Sequence, residues 1–279
     1  MACGAIVVSY RTGPVLQACV EALRAGDAIS EIILVDNGNP AEAEAAMDAL
    51  AAKEPRLRVV RGHGNVGFSA GCNLGARLAR AQRLLFVNPD AVLTPEAPDQ
   101  LLRALDATPG LAIIGGDLRD AQGQPDRAAR RARVTLWRAF VSFTGLSRLQ
   151  HWSPLLRDLH AEGDVAPMRV SAVSGALFAM RRADFEALGG FDEGYFLHVE
   201  DIDLCRRVED AGGSVLFAPG PHGLHERSSS EVSPVDLARH KAASFGRYFR
   251  KFARTPWDRI GAEIAAGALA VLLPMRRRA

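Results

Sequence analysis

The chain has 279 residues, of which 48% are hydrophobic and 24% are charged, as is ordinary for a globular protein of one large domain or two small ones. Its net charge of +2 excludes little, and we expect no nucleic acid among its partners. Four scattered cysteines without Cys-x-x-Cys spacing argue against a disulfide framework, and no apolar stretch approaches the roughly 20 residues that span a bilayer. We therefore expect a cytoplasmic protein with reduced thiols and no signal peptide.

The first half of the sequence alternates between strand and helix patterns. Strands are predicted at Ala5–Ser9, Glu31–Val35, Leu57–Val60 and in a run that ends at Asn88, and helices at Val15–Arg24, Ala41–Lys53 and Ala70–Ala81. Strands that alternate with helices favour right-handed crossovers. The sequence therefore predicts an α/β protein with a single, Rossmann-like, mostly parallel sheet flanked by helices.

The second half is less regular. The stretch Asp117–Pro167 has no clear period, and we interpret it as a partly helical excursion over the sheet that could be mobile. Regular patterns then return, and they predict a strand region at Arg169–Met180, helices at Ala183–Leu188 and Glu200–Ala211, a strand at Ser214–Ala218, a turn at Ser228–Ser230, and two basic helices at Pro234–Phe252 and Pro256–Leu273.

The most informative segment is Leu84–Val92, in which an apolar run ends on a carboxylate. Four apolar residues without polar alternation indicate a strand buried on both faces, and the Asn-Pro turn that follows places Asp90 at the carboxyl edge of the sheet. Open α/β sheets bind ligands at this edge. Asp36 ends the second strand in the same way, so two carboxylates are expected at one edge. Taken alone, either could be only a turn or cap residue.

Two further segments carry candidate chemistry. Gly62–Gly71 combines glycines with Asn and Ser before a helix, a pattern that lets backbone N–H groups approach an anion. A dinucleotide-binding loop would follow the first strand, and this loop follows the third, so that interpretation is disfavoured. Glu200, Asp201 and Asp203 stand at a predicted helix start, where capping explains one or two of them. The adjacent Glu-Asp pair behind aromatic residues predicts a catalytic carboxylate.

His222 and His225 follow the last predicted strand of the sheet. A lone histidine is more often structural than a metal ligand. An imidazole together with the carboxylate of Asp90, however, suits Mn²⁺ or Mg²⁺, with oxygens of a diphosphate completing the shell.

Taken in chain order, these motifs resemble the inverting GT-A glycosyltransferases of family 2, particularly the bacterial rhamnosyltransferase-like branch. The matching pieces are Val8-Ser9-Tyr10, Val35-Asp36-Asn37-Gly38, Asn65-Val66-Gly67-Phe68 with Gly71 and Asn73, Asn88-Pro89-Asp90, Ser174-Gly175-Ala176, Gly190-Phe191-Asp192-Glu193, Glu200 to Arg206, and His225. Each piece is weak alone, whereas the ordered set is specific and runs through nearly the whole chain.

The resemblance implies a donor site at the strand ends. By this resemblance Ser9, Tyr10 and Asp36 would hold the nucleotide base. The loop that contains Asn65 and Gly67 would line the nucleoside. The implied donor site also includes Asn73, Asn88, Ser174 and Gly175. Departures from the usual family residues at Arg11, Asn39 and Cys72 bear on which donor is used.

The resemblance also implies a metal site and a general base. Asp90 would be the last acid of the family's Asp-x-Asp motif, with Asn88 at its first position. A divalent cofactor, Mn²⁺ or Mg²⁺, would then be held by Asp90 and His225. Asp201 is the implied general base, with Glu200 beside it. Base and metal suit an inverting transfer, in which an acceptor hydroxyl loses a proton while a nucleoside diphosphate departs.

The implied protein has a GT-A catalytic domain at 1–230, with a nucleotide-sugar half at 1–115 and an acceptor half at 116–230, and a C-terminal helical extension at 231–279. It would move a sugar, with rhamnose from dTDP-rhamnose as the candidate, to a saccharide or lipid-linked saccharide in cell-surface polysaccharide biosynthesis. A sugar nucleotidyltransferase is the alternative enzyme, but Arg11-Thr12-Gly13-Pro14 is a poor triphosphate-binding loop. A non-catalytic carbohydrate- or nucleotide-binding relic is the other alternative, which the presence of Asp90 and Asp201 disfavours.

The apolar residues of the C-terminal helix predict a contact with a membrane or with another protein surface. Its apolar residues are Trp257, Ile260, Ile264, Leu269, Leu272 and Leu273, flanked by Arg254, Arg259 and Arg276-Arg277-Arg278. The segment is too short to span a bilayer but could lie in the interface at the cytoplasmic face of the inner membrane, near a lipid-linked acceptor. The alternative is a helix packed on the catalytic domain or on the second subunit of a homodimer.

Overall fold

The computed structural model describes residues 2–126, 129–156, 168–226 and 233–275. The strands are β1 (Cys3–Ser9), β2 (Ile29–Asp36), β3 (Leu57–Val60), β4 (Arg83–Val87), β5 (Ala91–Leu93), β6 (Ala112–Arg119), β7 (Arg130–Arg131), β8 (Met168–Arg169), β9 (Ala172–Val173), β10 (Leu177–Arg181) and β11 (Ser214–His225). The helices are α1 (Val15–Ala25), α2 (Ala41–Lys53), α3 (Phe68–Leu78), α4 (Ala97–Ala107), α5 (Leu136–Thr144), α6 (Arg182–Ala187), α7 (Glu200–Asp210), α8 (Pro234–Lys251) and α9 (Pro256–Met275).

The main sheet has the strand order β3-β2-β1-β4-β10-β6-β11-β5, with β8 paired to β11. Strands β3, β2, β1 and β4 are parallel, and so are β6 and β11. Strand β10 enters between β4 and β6 in the opposite direction, and β5 and β8 pair antiparallel with β11. The α/β prediction is therefore confirmed, with antiparallel pairs in the half of the sheet that follows β4.

Helices cover both faces of the sheet, which explains the unbroken apolar runs in its strands. All seven residues of β1 are buried. Ile6 and Val8 pack into one hydrophobic cluster, whereas Ala5 and Val7 pack into a second cluster on the other face. Successive side chains of a strand point to opposite faces, so both faces must be apolar for such a strand.

Several helix and strand boundaries in the structure differ from the predicted ones. Helix α3 begins at Phe68, two residues before the predicted start, and β5, α4 and β6 lie in a region for which no element was predicted. The prediction that the last strand ends at Ala218 was wrong, because β11 continues to His225. Its pairing with β6 shifts register between Phe217 and Gly223, so the chain passes Pro219 and Gly220 as an irregularity within the strand.

The excursion over the sheet is partly helical, as predicted, since α5 and two short 3₁₀ turns at Leu146–Leu149 and Pro154–Leu156 fall within it. Residues 157–167 lie outside the described part of the chain, and the mobility of this stretch stays a prediction. The predicted turn at Ser228–Ser230 and the arginines 276–278 also lie outside the described residues.

The C-terminal helices pack on the sheet domain and on each other. Phe245, Tyr248 and Phe249 of α8 belong to the cluster on one face of the sheet. Helix α9 buries Ala262 and Leu269. None of the described helices is both long and apolar enough to cross a membrane.

Candidate active site

Parallel pairing brings the ends of β1, β2 and β4 to one edge of the sheet. Ser9 is aligned with Asp36 across β1 and β2, and Val7 is aligned with Val87 across β1 and β4. The Asp36 turn and the Asn88 to Asp90 turn therefore leave the sheet at the same edge. The predicted meeting of two strand-end carboxylates at one edge is confirmed.

Asp36 is held in a rigid turn. Its Oδ1 accepts hydrogen bonds from the backbone N–H groups of Gly38 (3.1 Å) and Asn39 (3.0 Å) and from Asn39 Nδ2 (2.8 Å). Asn39 also bridges to β1, since its Nδ2 donates to the carbonyl of buried Ser9 at 2.9 Å. Asp36 Oδ2 makes no hydrogen bond with the described residues, and Arg61 Nε lies 3.4 Å away. Asp36 Oδ2 is itself buried, so contact between this carboxylate and a nucleotide base stays a prediction.

The next predicted base-binding residue, Tyr10, is half-buried, and the guanidinium of Arg11 lies over its ring at 5.4 Å from the centroid. The backbone N–H of Arg11 donates to Asn39 Oδ1 at 2.7 Å. The side chain of Asn39 thus joins the end of β1 to the turn after β2. Sequence reasoning noted Asn39 only as a departure from the family pattern and missed this bridging position.

Hydrogen bonds hold the glycine loop, residues 62–71, against the Asp36 turn and against the segment before α7. Asn37 Nδ2 donates to Asn65 Oδ1 (3.2 Å) and to the carbonyl of Gly67 (3.0 Å). Gly67 has φ +84°, and a Cβ at this position would come within 2.6 Å of the carbonyl oxygen of Phe196. The N–H of Phe68 donates to that same carbonyl at 2.8 Å. The loop is therefore ordered where the nucleoside is expected.

The side-chain amide of Asn73 makes hydrogen bonds with other parts of the protein. Its Nδ2 donates to the carbonyl of Phe191 and to Glu193 Oε1, both at 2.9 Å, and its Oδ1 accepts from the N–H of Phe191 at 2.8 Å. Asn73 is buried and braces the loop that precedes α7. A contact between Asn73 and the nucleoside stays a prediction.

Asp90 and His225 meet because β5 pairs with β11. His225 is aligned with Ala91, which places His225 Nε2 3.2 Å from Asp90 Oδ1. Asn88 Nδ2 lies 3.5 Å from the same imidazole nitrogen. The two predicted metal ligands, Asp90 and His225, are therefore brought together, and Asn88 of the predicted donor site lies beside them.

Asp126 is a further residue of this cluster, and sequence reasoning missed it. Its Oδ2 lies 3.1 Å from His225 Nδ1, on the opposite side of the imidazole from Asp90, and its side chain is buried. A carboxylate at this nitrogen orients the ring and directs Nε2 towards Asp90. No signal in the sequence pointed to Asp126, because it lies in the stretch without a clear period.

His222, the other histidine considered as a ligand, has a structural position. It is buried, and its Nδ1 accepts a hydrogen bond from the N–H of Asp117 at 3.0 Å. Burial lowers the pKa of His222, so the ring is neutral at pH 7. The structure thus places His225, and not His222, beside Asp90.

Asp201 lies at the same edge, at the start of α7. The N–H of Gly175 donates to Asp201 Oδ2 at 2.9 Å, and the N–H of Ile202 donates to Asp201 Oδ1 at 2.8 Å. The carbonyl of Ala176 accepts from the N–H of Asn88 at 2.9 Å, and the hydroxyl oxygen of Ser174 accepts from the N–H of Ala176 at 3.2 Å. The Ser174 to Ala176 segment therefore connects the Asp201 carboxylate with the turn that carries Asp90.

The three acids of α7 lie in different surroundings. Glu200 is buried, and desolvation together with the charge of Asp201 raises the pKa of Glu200 to about 8, so it is neutral at pH 7. Asp203 is fully buried and pairs with Arg207 (2.7 Å) and Lys251 (2.6 Å), which gives it a structural role. Asp201 is half-buried at the ligand edge. Neighbouring acids with different environments are typical of a site that divides acid and base roles.

Comparison with known families agrees with this geometry. The family model "Glycosyl transferase family 2" matches residues 5–189, and a second model, "N-terminal domain of galactosyltransferase", matches residues 162–229. The chain is 28% identical over 251 residues to the N-acetylglucosaminyl-diphospho-decaprenol L-rhamnosyltransferase of Mycobacterium tuberculosis, covering 85% of this chain and 80% of that protein. It is 28% identical over 237 residues to the rhamnosyltransferase WbbL of Escherichia coli, covering 79% of this chain and 81% of that protein.

Solved structures share the fold. GalNAc-T7, determined with UDP, GalNAc and Mn²⁺, superposes with a TM-score of 0.64 at 16% identity, covering 95% of this chain and 55% of that chain. The mannosyltransferase PcManGT of Pyrobaculum calidifontis, determined with GDP-Man and Mn²⁺, gives a TM-score of 0.62 at 17% identity, covering 96% of this chain and 75% of that chain. At these identities the likeness shows the fold alone, which is the GT-A fold.

Proposed function

This chain belongs to glycosyl transferase family 2, and from that premise we propose that it moves a sugar from a nucleotide-sugar donor to a saccharide or lipid-linked saccharide, with inversion at the anomeric carbon. One observation carries the proposal. The hydrogen bonds from Gly175 to Asp201 and from Asn88 to Ala176 connect a candidate base with the Asp90–His225 pair at one sheet edge. A general base and a diphosphate-binding pair are the two groups that such a transfer needs.

We assign a divalent cation, Mn²⁺ or Mg²⁺, to Asp90 and His225. Two ligand atoms that each lie about 2.1 Å from one ion and at right angles are about 3 Å apart. Asp90 Oδ1 and His225 Nε2 are 3.2 Å apart, so the pair fits two adjacent positions of one coordination shell. Within the described ranges no group of three His, Cys, Asp or Glu side chains forms a metal site. A cation held by these two residues would supply positive charge for the departing diphosphate.

Asp201 is the proposed general base. It would take the proton of the acceptor hydroxyl as the oxygen attacks the anomeric carbon from the side opposite the diphosphate. Its hydrogen bonds with the Gly175 and Ile202 N–H groups hold the carboxylate in one orientation. Glu200 is neutral beside it and adds no competing charge, because burial raises its pKa. Direct displacement of this kind needs no covalent sugar intermediate.

The donor and acceptor are proposed from the relatives. Two matched relatives are rhamnosyltransferases, and one is named for a decaprenol-linked acceptor. Rhamnose from dTDP-rhamnose, transferred to a lipid-linked saccharide in cell-surface polysaccharide biosynthesis, is therefore our proposal for this chain. Such an acceptor would require the enzyme to work at the cytoplasmic face of the membrane.

Exchange of Asp201 for Asn tests the proposed base. We expect Asp201→Asn to bind the donor nucleotide almost normally but to transfer sugar at least about 100-fold more slowly, because the amide cannot take the proton. Sugar transfer from a panel of nucleotide sugars and calorimetric titration with nucleoside diphosphate and Mn²⁺ provide the two readouts. Asp210→Asn, an exposed substitution on the same helix, is the matched control.

Two results would contradict this function. Transfer by Asp201→Asn within a few-fold of the unsubstituted enzyme would place the base on another residue. Formation of a nucleotide sugar and pyrophosphate from a nucleoside triphosphate and a sugar phosphate would instead indicate a nucleotidyltransferase.

A further inference from the structure

Helix α9 has two apolar faces, and one of them is open. Its buried face is formed by Ala262, Ala266 and Leu269. The open face carries Trp257, Ile260, Ile264, Val271, Leu272 and Met275, each at least half exposed, with Trp257 80% and Ile264 68% exposed. At about 100° per residue, these side chains fall within roughly 60° of one line, which lies about 140° from the centre of the buried face. These six positions carry no charge, and contiguous exposed apolar faces are typical of interaction sites.

Helix α5 lies beside this part of α9. Gly261 lies on the same line of α9 as Trp257 and Ile264, and a Cβ at Gly261 would come within 2.9 Å of Leu136 Cδ1 at the start of α5. The next residue of α5, Trp137, is half exposed and stacks on Phe140, with ring centroids 5.7 Å apart.

The chain after α5 adds to this surface. Trp137 Nε1 donates to the carbonyl of Leu155 at 2.8 Å, which holds the chain after α5 against the aromatic pair. The side chains of Trp152 and Leu155 are 79% and 71% exposed. Exposed apolar side chains thus lie on two neighbouring segments that are about 120 residues apart in the sequence. We define the α5–α9 surface by Trp137, Phe140, Trp152, Trp257, Ile264 and Val271.

We propose that the α5–α9 surface docks on an anionic membrane and lies in its interface. The 231–279 segment has ten Lys and Arg and four Asp and Glu, whereas the whole chain has a net charge of +2. Arg148, Arg254 and Arg259 are exposed in the same two segments. Three tryptophans with basic neighbours suit the boundary between headgroups and acyl chains.

A second copy of the chain fits this surface less well. A symmetric dimer would place the same surface patch on both partners. It would therefore bring two copies of the same net positive C-terminal segment close together, which is electrostatically unfavourable. Anionic headgroups provide the complementary charge instead.

Helix α8 connects the α5–α9 surface with the catalytic edge. It packs against α9, and on its other side Ser244 Oγ donates to the carbonyl of Leu197 at 2.9 Å. His240 stacks on Phe196 with ring centroids 4.7 Å apart. Phe196 also holds the glycine loop, and Asp201 follows five residues later. Docking would fix the catalytic edge relative to the bilayer, where a lipid-linked acceptor is available; this use of the surface rests on the proposed function.

Vesicle sedimentation of the full-length protein tests the docking, which needs neither donor nor acceptor. The vesicles contain either equal parts of phosphatidylglycerol and phosphatidylcholine or phosphatidylcholine alone. We expect the unsubstituted protein to sediment with the anionic vesicles and to be released by high salt. The variants Trp257→Gln/Ile264→Gln/Val271→Gln and Trp137→Gln/Phe140→Gln should each lower the partition coefficient at least about tenfold. Ala45→Gln/Ala49→Gln/Ala52→Gln, on the exposed face of α2, is the matched control.

Several outcomes would overturn the proposal. They are absence of the unsubstituted protein from both vesicle pellets, binding by the α5 variant equal to that of the unsubstituted protein, and equal losses in the α2 control. A dimer in analytical ultracentrifugation that the α9 variant converts to a monomer, without vesicle binding, would assign the surface to a second copy. Melting temperatures and Mn²⁺-dependent nucleotide binding confirm that each variant is folded. Vesicle binding without sugar transfer would refute the proposed function while leaving the docking intact.

Discussion

Replacing Glu200 by Gln distinguishes the protonation state and the role of Glu200 from those of its neighbour Asp201 at the start of α7. Burial and the neighbouring Asp201 raise the pKa of Glu200 from 4.5 to about 8 in the folded protein. The unfolded chain releases this proton near pH 4.5, whereas the folded protein retains it until about pH 8. The stability associated with the protonated acid is therefore fully present below pH 4.5 and is lost as the pH rises through about 8. Since one pKa unit corresponds to about 1.4 kcal/mol, the loss at pH 8 is on the order of a few kcal/mol.

The neutral isostere in Glu200→Gln should remove this loss. We expect the free energies of unfolding of the variant and the unsubstituted protein to agree within about 1 kcal/mol at pH 5, and we expect the variant to be more stable by on the order of a few kcal/mol at pH 8. Denaturant titrations at a series of pH values measure the difference. Glu186→Gln, an exposed substitution on α6, should leave the pH profile unchanged.

The same variant distinguishes Glu200 from Asp201 in catalysis. A neutral Glu200 predicts that Glu200→Gln retains most of its sugar-transfer rate at pH 7. A pH profile of stability identical to that of the unsubstituted protein would refute the charge state that we assign to Glu200. Loss of transfer by Glu200→Gln together with full transfer by Asp201→Asn would move the base to Glu200.

Three further substitutions test the donor side. Asp90→Ala should abolish the Mn²⁺ dependence of nucleoside diphosphate binding in calorimetry while the circular dichroism spectrum is retained, and unchanged metal dependence would refute the assignment. Asp126→Asn should weaken Mn²⁺ binding about 10- to 100-fold, because the partner that orients the His225 ring is weakened; equal affinity would make Asp126 purely structural. Gly67→Ala should cost about 1–3 kcal/mol in thermal unfolding and lower donor affinity, since φ is +84° and a Cβ would approach the Phe196 carbonyl; an unchanged melting temperature would show that the loop yields.

The positions that the sequence predicted best are those that a local pattern determines. A buried parallel strand followed by a turn places its last residues at the ligand edge whatever the remaining chain does. Asp36 and Asp90 were found in this way, and the pairing of β1 with β2 and β4 places both at one edge. The acids at the start of α7 were also predicted, because acidic residues in the first turn of a helix are a local signal.

The contacts that the sequence did not reveal depend on residues distant along the chain. His225 reaches Asp90 because β11 continues past Pro219 and Gly220 with a shift in register, whereas these two residues normally end a strand. Asp126 lies 99 residues before His225, in a stretch without periodicity. Neither propensity nor spacing carries information about such a pair. The resemblance to family 2 identified His225 as a candidate metal ligand. Asp126 was identified only from the structure.

Helix α8 is joined to the rest of the chain by ion pairs that no local pattern predicts. The sequence predicts a C-terminal helical extension from residue 231, and within this extension Lys251 Nζ lies 2.6 Å from Asp203 and 2.7 Å from Asp192. Arg247 also pairs with Asp192 at 2.7 Å. These ion pairs hold α8 against α7 and the loop before it, whose positions determine where Asp201 lies. Helix α8 therefore lies between α9, against which it packs, and the helix that carries the proposed base, to which Lys251 pairs through Asp203.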